Sequence, residues 1–319
     1  MPAVSVIIPN YNHAAFLPQR FESVLAQSHT DFECIILDDA STDNSREVIE
    51  SYAAKDSRIS FYTSDINSGS PFVQWNRGIG LAKHGLVWIA ESDDSAAPEF
   101  LERLLQLHLK NPAIAIAYCQ SNRVNEEGVV TGNWKDHTDA LDAKLFADDF
   151  VLHGMDYINS FLVFKNIIAN ASAVLFKKAV FRAVGGADES LLTNSDWLCW
   201  LKMLTKNDIA FTAAPLNNFR YHKNSVIAKQ HSSKTEQYKE QYDISMRRAF
   251  AAWCNKQHIE LPPSIKKENN RFISYDKANR GLYLYRHGNK IKALAGILQA
   301  TFFPRPTLGY LRRLFKPEQ

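Results

Sequence analysis

Three acids crowd the end of one short apolar run. In "GLVWIAESDDSAAPEF", residues 85–100, the apolar stretch Leu86–Ala90 gives way to Glu91, Ser92, Asp93 and Asp94. Like charges at the mouth of a buried strand repel, and burying them is costly unless a positive group joins them. Two readings follow: a solvated strand end with an acidic helix start, or a cation site. A hard divalent ion such as Mg2+ or Mn2+ prefers oxygen ligands, and Mg2+ binds through one or two carboxylates plus substrate phosphates. Asp93 and Asp94 suit such a half-built site. Zinc does not suit it, because no His or Cys lies nearby in sequence.

Other residues could do chemistry too. Asp38–Asp39 follows a second apolar run, "FECIIL". The pair reads as a helix cap leading into Ser41–Thr42–Asp43, or as the acidic pocket of a phospho-receiver. The length of the chain and its second acidic rim argue against the receiver. Tyr11, after Pro9, either covers the core edge or stacks on a base. Asp196, in "TNSDWLCWLKML", stands at the start of a tryptophan-rich helix. It either stabilises the helix dipole or acts as a general base held by a rigid helix start. His222, in "FRYHKNSV", ends a short strand beside basic neighbours, and is structural or catalytic. Neither G-x-G-x-x-G nor G-x-x-x-x-G-K-[ST] occurs, so a metal and side chains must carry the charge of any phosphorylated ligand.

The elements that position these residues alternate. Strands are expected at 4–8, 32–37, 58–63, 86–90 and 113–118, with helices at about 14–28, 44–54, 71–83 and 98–110 between them. That order predicts an α/β fold: an open, mostly parallel sheet flanked by helices, with right-handed crossovers. Ligands bind such sheets beyond the carboxyl ends of the strands. Pro9–Tyr11–Asn12, Asp38–Asp39 and Glu91–Asp94 all fall on that rim. Past residue 119 the pattern weakens. "NRVNEEGVVTG" reads as a hairpin turning near Glu127–Gly128, and 133–153 as a variable polar loop. A strand at 172–176, a helix stopped by Gly185–Gly186, a helix at 195–206 and short strands at 209–213 and 218–222 follow. Beyond about 232 the chain reads as a helical C-terminal extension, richer in Lys and Arg.

Composition narrows the class. The chain has 319 residues, 45% hydrophobic, with a net charge of +3. A sizeable core is expected, and no nucleic-acid partner, since no dense basic cluster stands out. No early stretch has the pattern of a signal peptide, and no apolar run nears the roughly 20 residues that span a bilayer. Cys34, Cys119, Cys199 and Cys254 lack metal spacing and read as reduced core fillers. A cytoplasmic location is expected.

With these residues in hand, the sequence resembles the family 2 glycosyltransferases of the GT-A fold, which invert. The likeness runs through "VSVIIPNYN", "SVLAQSHTDFECIILDDASTDNS", "NSGSPFVQWNRGIGLAKHGLVWIAESDD", "FRAVGGADESL", "SDWLCWLKM" and "FRYHKNS", about residues 4–226. The resemblance implies a nucleotide-sugar donor, by default a UDP-sugar, held at the sheet rim, and transfer to a glycan or lipid-linked acceptor in cell-surface polysaccharide or lipid-linked glycan assembly. Pro9, Tyr11 and Asp39 would contact the base and ribose, and Asn12 would also bind the donor. Asp93 and Asp94 resemble the DxD-type element, with Asp94 on the divalent cation (Mn2+ or Mg2+) and Asp93 near the ribose or sugar. Glu91 stands where an aspartate often opens that element and is a second metal candidate. Asn76 and Arg77 would face the donor from their helix, and His222 would lie near the diphosphate. Asp196 would be the catalytic base, preceded here by Ser195 rather than the usual acid. The implied organisation is a GT-A-like domain over 1–231, with a donor half to about 118 and an acceptor half over 119–231, then the extension over 232–319. The basic helices of that extension either pack on their own domain or touch the inner face of the membrane. Rival readings are a catalytically silent nucleotide-sugar-binding protein, a nucleotidyltransferase and a membrane-surface scaffold. The missing Gly-rich basic loop argues against the second, and the acidic rims against the third.

Overall fold

The computed structural model describes residues 1–222 and 239–286. Ten strands form one sheet: β1 (Val4–Asn10), β2 (Phe32–Asp38), β3 (Ile59–Thr63), β4 (Leu86–Ile89), β5 (Ser95–Ala96), β6 (Ile114–Val124), β7 (Val130–Asn133), β8 (Phe150–Leu152), β9 (Val174–Lys177) and β10 (Asp208–Arg220). Their order is β3-β2-β1-β4-β9-β6-β10-β5, with β7 on β6 and β8 on β10. The first four are parallel, β9 runs antiparallel between β4 and β6, and β10 is parallel to β6. The helices are α1 (Leu17–Leu25), α2 (Ser45–Ala53), α3 (Pro71–Leu81), α4 (Phe100–Lys110), α5 (Lys135–Asp142), α6 (Gly154–Tyr157), α7 (Lys178–Ala183), α8 (Ser195–Leu204), α9 (Lys239–Lys256) and α10 (Pro263–Arg286).

The expected mostly parallel sheet flanked by helices is the fold observed. β1 is buried along its whole length, as a central strand of β-branched residues should be. Its side chains alternate between two apolar layers. Ile7 joins one, and Val4, Val6 and Ile8 join the other. Ser70 caps α3 by accepting from the Phe72 N–H, and Pro71 supplies the preset first turn. The second half departs from expectation. Residues 133–153 are not a polar loop, because α5, a short 3-10 turn and β8 occupy them. The polar face of α5 conceals Thr138, and Phe146 is fully buried behind it. The two short strands expected at 209–222 are one bulged strand, β10. Gly185 and Gly186 stop the chain after α7 with positive φ.

The C-terminal helices belong to the core. Met246, Phe250 and Cys254 of α9, with Leu261 and Ile265, join the same apolar layer as Trp197 and Trp200 of α8. The membrane-surface expectation for residues 290–319 and the boundary near 231 lie outside the described residues. Among the described residues, no helix is long and apolar enough to cross a membrane.

One close approach fixes α8 against its neighbour. A Cβ added to Gly154 would lie 2.0 Å from the Asn207 carbonyl oxygen and 2.3 Å from that of Leu204. Backbone cannot yield as a flexible side chain can. Gly154→Ala should therefore lower stability by about 3 kcal/mol, the upper range for overpacking. Urea unfolding at constant m-value checks it.

Candidate functional site

The carboxyl ends of β1, β2 and β4 open into one cleft of about 530 Å³. Pro9, Tyr11, Asp39, Glu91, Asp93, Asp94 and Asp196 all line it. Four chain segments far apart in sequence thus converge, as the strand-end rule leads one to expect.

The acid turn at 91–94 is neutralised from below. Arg20, on the buried face of α1, is 0% exposed. Its Nε donates to the Glu91 carbonyl at 2.8 Å and its Nη2 to Ser172 Oγ at 3.3 Å, over the Trp88 ring. Burial lowers its pKa to about 10, against the pull of Asp94, Asp93 and Glu91. Arg220, at the end of β10, closes the turn from the side. Its backbone N–H donates to Asp94 Oδ1 at 2.9 Å and its Nε to the Asp93 carbonyl at 2.6 Å. It also reaches the Asn125 and Glu126 carbonyls and the Gln19 side chain.

The three acids then differ. Glu91 accepts from Trp75 Nε1 at 2.8 Å; burial, then Asp93, pushes its pKa up to about 8. Asp94 is buried, with Oδ1 engaged by Arg220 and Oδ2 by Asn170 Nδ2 at 2.7 Å. Burial, then Asp93, raises it to about 7. Asp93 goes the other way. Burial alone would raise it, but the His222 hydrogen bond and the nearby imidazoles hold it below the usual carboxylate value. His222 Nε2 meets Asp93 Oδ2 at 3.0 Å. His13 joins them: ligand atoms of His13, Asp93 and His222 lie within 4.8 Å of one another. The expectation put a cation on Asp94 and Glu91. Both oxygens of Asp94 and one of Glu91 accept from protein donors, and the group of described residues with donor atoms in common reach is built on Asp93. The oxygen-only argument also changes, because folding brings in two imidazoles from 80 and 129 residues away along the chain, His13 from Asp93 and His222 from Asp93 respectively.

Asp39 is held in place by Ser68 and Gln74, whose Nε2 donates at 2.6 Å. Asp38 is spent on Asn10 and Ser41. Asn12, with φ +57°, accepts from the Thr42 and Asp43 N–H groups and ties the first rim loop to the second. Asn76 and Arg77 do not line the cleft. Asn76 is bound to Ala187 and Glu189, and Arg77 to Ser64 and the Thr63 carbonyl. Gln74 and Trp75 take the cleft-facing positions instead.

Asp196 stands in the first turn of α8, entered through Asn194 in the left-handed region at φ +64°. Its Oδ2 accepts from Asn166 Nδ2 at 2.8 Å. Burial raises its pKa, partly offset by the Trp197 N–H and Asn166. Ser195, in place of an acid, accepts from the Asp188 N–H at 2.7 Å and anchors the preceding loop.

His13, Arg20, Arg220 and Asn166 are site residues that sequence reasoning missed. Only Arg20 carried a signal: it falls on the same helical face as Leu17, Phe21 and Val24, which are all buried.

The pH response follows from Glu91. Its folded-state pKa, about 8, lies above the ordinary glutamate value. Its contribution to stability is complete at low pH and is lost as pH rises through 8. With EDTA present, Glu91→Gln should therefore gain stability relative to the parent protein between pH 5 and 9. Paired denaturant titrations across that range read the difference, and a constant gap contradicts the reading.

The sequence model described as Glycosyl transferase family 2 matches residues 5–168. The putative teichuronic acid biosynthesis glycosyltransferase TuaG of Bacillus subtilis is 25% identical over 264 residues, 81% of this chain and 95% of that protein. The chain spans less than half the length of the first curated relatives it matches, 44% and 35%. Among solved structures, S. aureus TarS 1–349 in complex with UDP-GlcNAc superposes with a TM-score of 0.67 at 16% identity, covering 98% of this chain and 81% of that one. The mannosyltransferase PcManGT from Pyrobaculum calidifontis, in complex with GDP-Man and Mn2+, gives 0.60 at 16%, covering 99% and 81%. These likenesses establish the fold, and the family match across half of the sequence establishes the rest: this chain belongs to glycosyl transferase family 2.

Proposed function

We propose that this protein is a metal-dependent, inverting glycosyltransferase that moves a sugar from a nucleoside-diphosphate sugar to an acceptor hydroxyl. One observation carries the reading: a single cleft is lined by His13, Asp39, Asp93 and Asp196, and His222 meets Asp93 there at 3.0 Å. Pro9, Tyr11 and Asp39 line the part of the rim we assign to the base and ribose. His13, Asp93 and His222 would hold the divalent cation. Their mixed nitrogen and oxygen donors suit Mn2+ better than Mg2+. Such an ion supplies Lewis-acid neutralisation of the charge that develops on a leaving diphosphate.

The protein's own groups do the rest. Asp196 takes the proton of the attacking hydroxyl, and its raised pKa makes it a stronger base than a solvated aspartate. Attack on the face opposite the leaving group inverts the anomeric centre. Arg20 and Arg220 hold the acid turn rigid, so Asp93 does not reorganise during the reaction. We assign donor binding to the half up to about 118 and acceptor binding to 119–231, with 232–319 as the helical extension. Support for the donor class comes from TarS bound to UDP-GlcNAc and PcManGT bound to GDP-Man and Mn2+. TuaG, named for teichuronic acid biosynthesis, supports a role in cell-surface polysaccharide assembly. A glycan or lipid-linked acceptor, and a peripheral position on the inner membrane face, are part of the same reading.

Two variants test it. Asp196→Asn should lose at least 100-fold in turnover, the lower range for acid–base catalysis, while calorimetry finds donor affinity intact. Full turnover in that variant removes the base assignment. Asp93→Ala should abolish the dependence of donor affinity on Mn2+. A thermal-shift panel of nucleotide-sugars with Mn2+ or Mg2+ identifies the donor, since native-state ligands raise the melting point. Equal shifts with and without metal would remove the cation from the mechanism.

A further inference from the structure

The side chain that touches Asp196 sits on a segment held in an unusually complete way. Asn166 and Asp196 both line the cleft, and Asn166 Nδ2 donates to Asp196 Oδ2 at 2.8 Å. The carbonyls leading to Asn166 are engaged almost one by one. Trp197 Nε1 donates to Leu162 at 2.9 Å. Arg247 donates through Nη1 to Val163 at 2.6 Å and through Nη2 to Phe164 at 3.0 Å. The His137 ring meets the Asn166 carbonyl at 3.0 Å.

Arg247 comes from α9, in the C-terminal helices. It is 3% exposed, and its guanidinium lies between the Trp197 ring at 5.0 Å and the Phe272 ring at 4.6 Å. One side chain thus binds the segment that carries Asn166 and the residue that follows Asp196. A second tie runs from Asn194, just before α8, to Asp243 of α9 at 2.5 Å. A planar, five-donor guanidinium suits this bridging, whereas a lysine offers one point of charge.

We infer that Asn166 is a positioning residue for the Asp196 carboxylate, and that Arg247 fixes the backbone segment that presents it. The inference rests on Asp196 being the general base. An amide N–H on Oδ2 fixes the carboxylate's rotation and favours its ionised form, and no proton passes between the two side chains. The charged groups packed nearby are engaged elsewhere. Lys165 donates to the His137 carbonyl, Arg247 faces its two carbonyls and Asp276, Asp243 holds Asn194, and Lys202 lies over Trp253. The charge state of Asp196 is therefore set by burial and hydrogen bonds.

The test uses full-length protein labelled with [γ-13C]aspartate. The Asp196 carboxyl resonance is assigned by its loss in Asp196→Asn. Asn166→Ala removes a hydrogen bond to the ionised form, so the Asp196 titration midpoint should move to higher pH. Arg247→Lys should move it the same way by less, and it keeps the test open if Asn166→Ala fails to fold. UDP release from UDP-N-acetylglucosamine with Mn2+ should show about a tenfold fall in kcat with KM unchanged. A merely structural loss would lower the folded fraction and leave the midpoint where it was. An unmoved midpoint overturns the positioning role. Retained turnover in Asp196→Asn overturns the base assignment instead, so the two failures are told apart.

Discussion

A buried arginine beneath an acidic turn is the interaction on which the site depends. Three carboxyls within four residues could not share a buried strand end without it. Arg20 does not form a simple ion pair with any of them. Its Nε holds the Glu91 carbonyl and its charge is spread across all three acids. Arg220 completes the arrangement through its backbone N–H and side chain. The result sorts three similar acids into unlike states. Glu91 and Asp94 are pushed toward the protonated form, and Asp93, beside two imidazoles, stays ionised at the cleft. Breaking such a buried charge network by removing one partner is strongly destabilising, because the remaining charges lose their compensation.

The same logic extends to the opposite wall. Among the described residues no cation tempers Asp196, and hydrogen bonds offset part of the effect of burial. The two walls therefore carry different acids: an ionised one suited to a cation, and a basic one suited to a proton. Both walls draw on remote parts of the chain. The C-terminal helices share the apolar layer of α8, the helix whose first turn carries Asp196.

The sequence made some of this legible. A β-branched run announced β1 and an apolar run β2, and the acids after the β2 and β4 runs announced the rim. Asp39, Asp93 and Asp196 were all recognisable, because each follows a strand end or opens a helix. What stayed hidden were partners supplied by tertiary contact. Arg20 falls on the apolar face of its helix with Leu17, Phe21 and Val24, but nothing local says which acids lie against it. His13 stands 80 positions before Asp93, and nothing local marks it as a neighbour. Asn76 and Arg77 were expected to face the donor from their helix, and neither lines the cleft. Gln74 and Trp75 reach the cleft, and a two-residue displacement turns a side chain by roughly 200° about the axis. The helical content of 133–153 was masked by its many polar residues, and the two buried side chains there, Thr138 and Phe146, are too sparse to set a period.

One feature links the site to the order in which the chain is made. Asp94 is synthesised 126 residues before the Arg220 backbone that binds it. At translation rates of roughly 5–20 residues per second, the acid turn waits on the order of ten seconds for that partner. Before β10 is made, Arg20, Trp75 and Asn170 face the acid turn without Arg220, and His222 is not yet present beside Asp93. The acid turn reaches its full set of partners only when β10, the last of the ten described strands, has been made. A chain cut before β10 would keep the acids at the end of β4 and lack the Arg220 and His222 contacts that sort them.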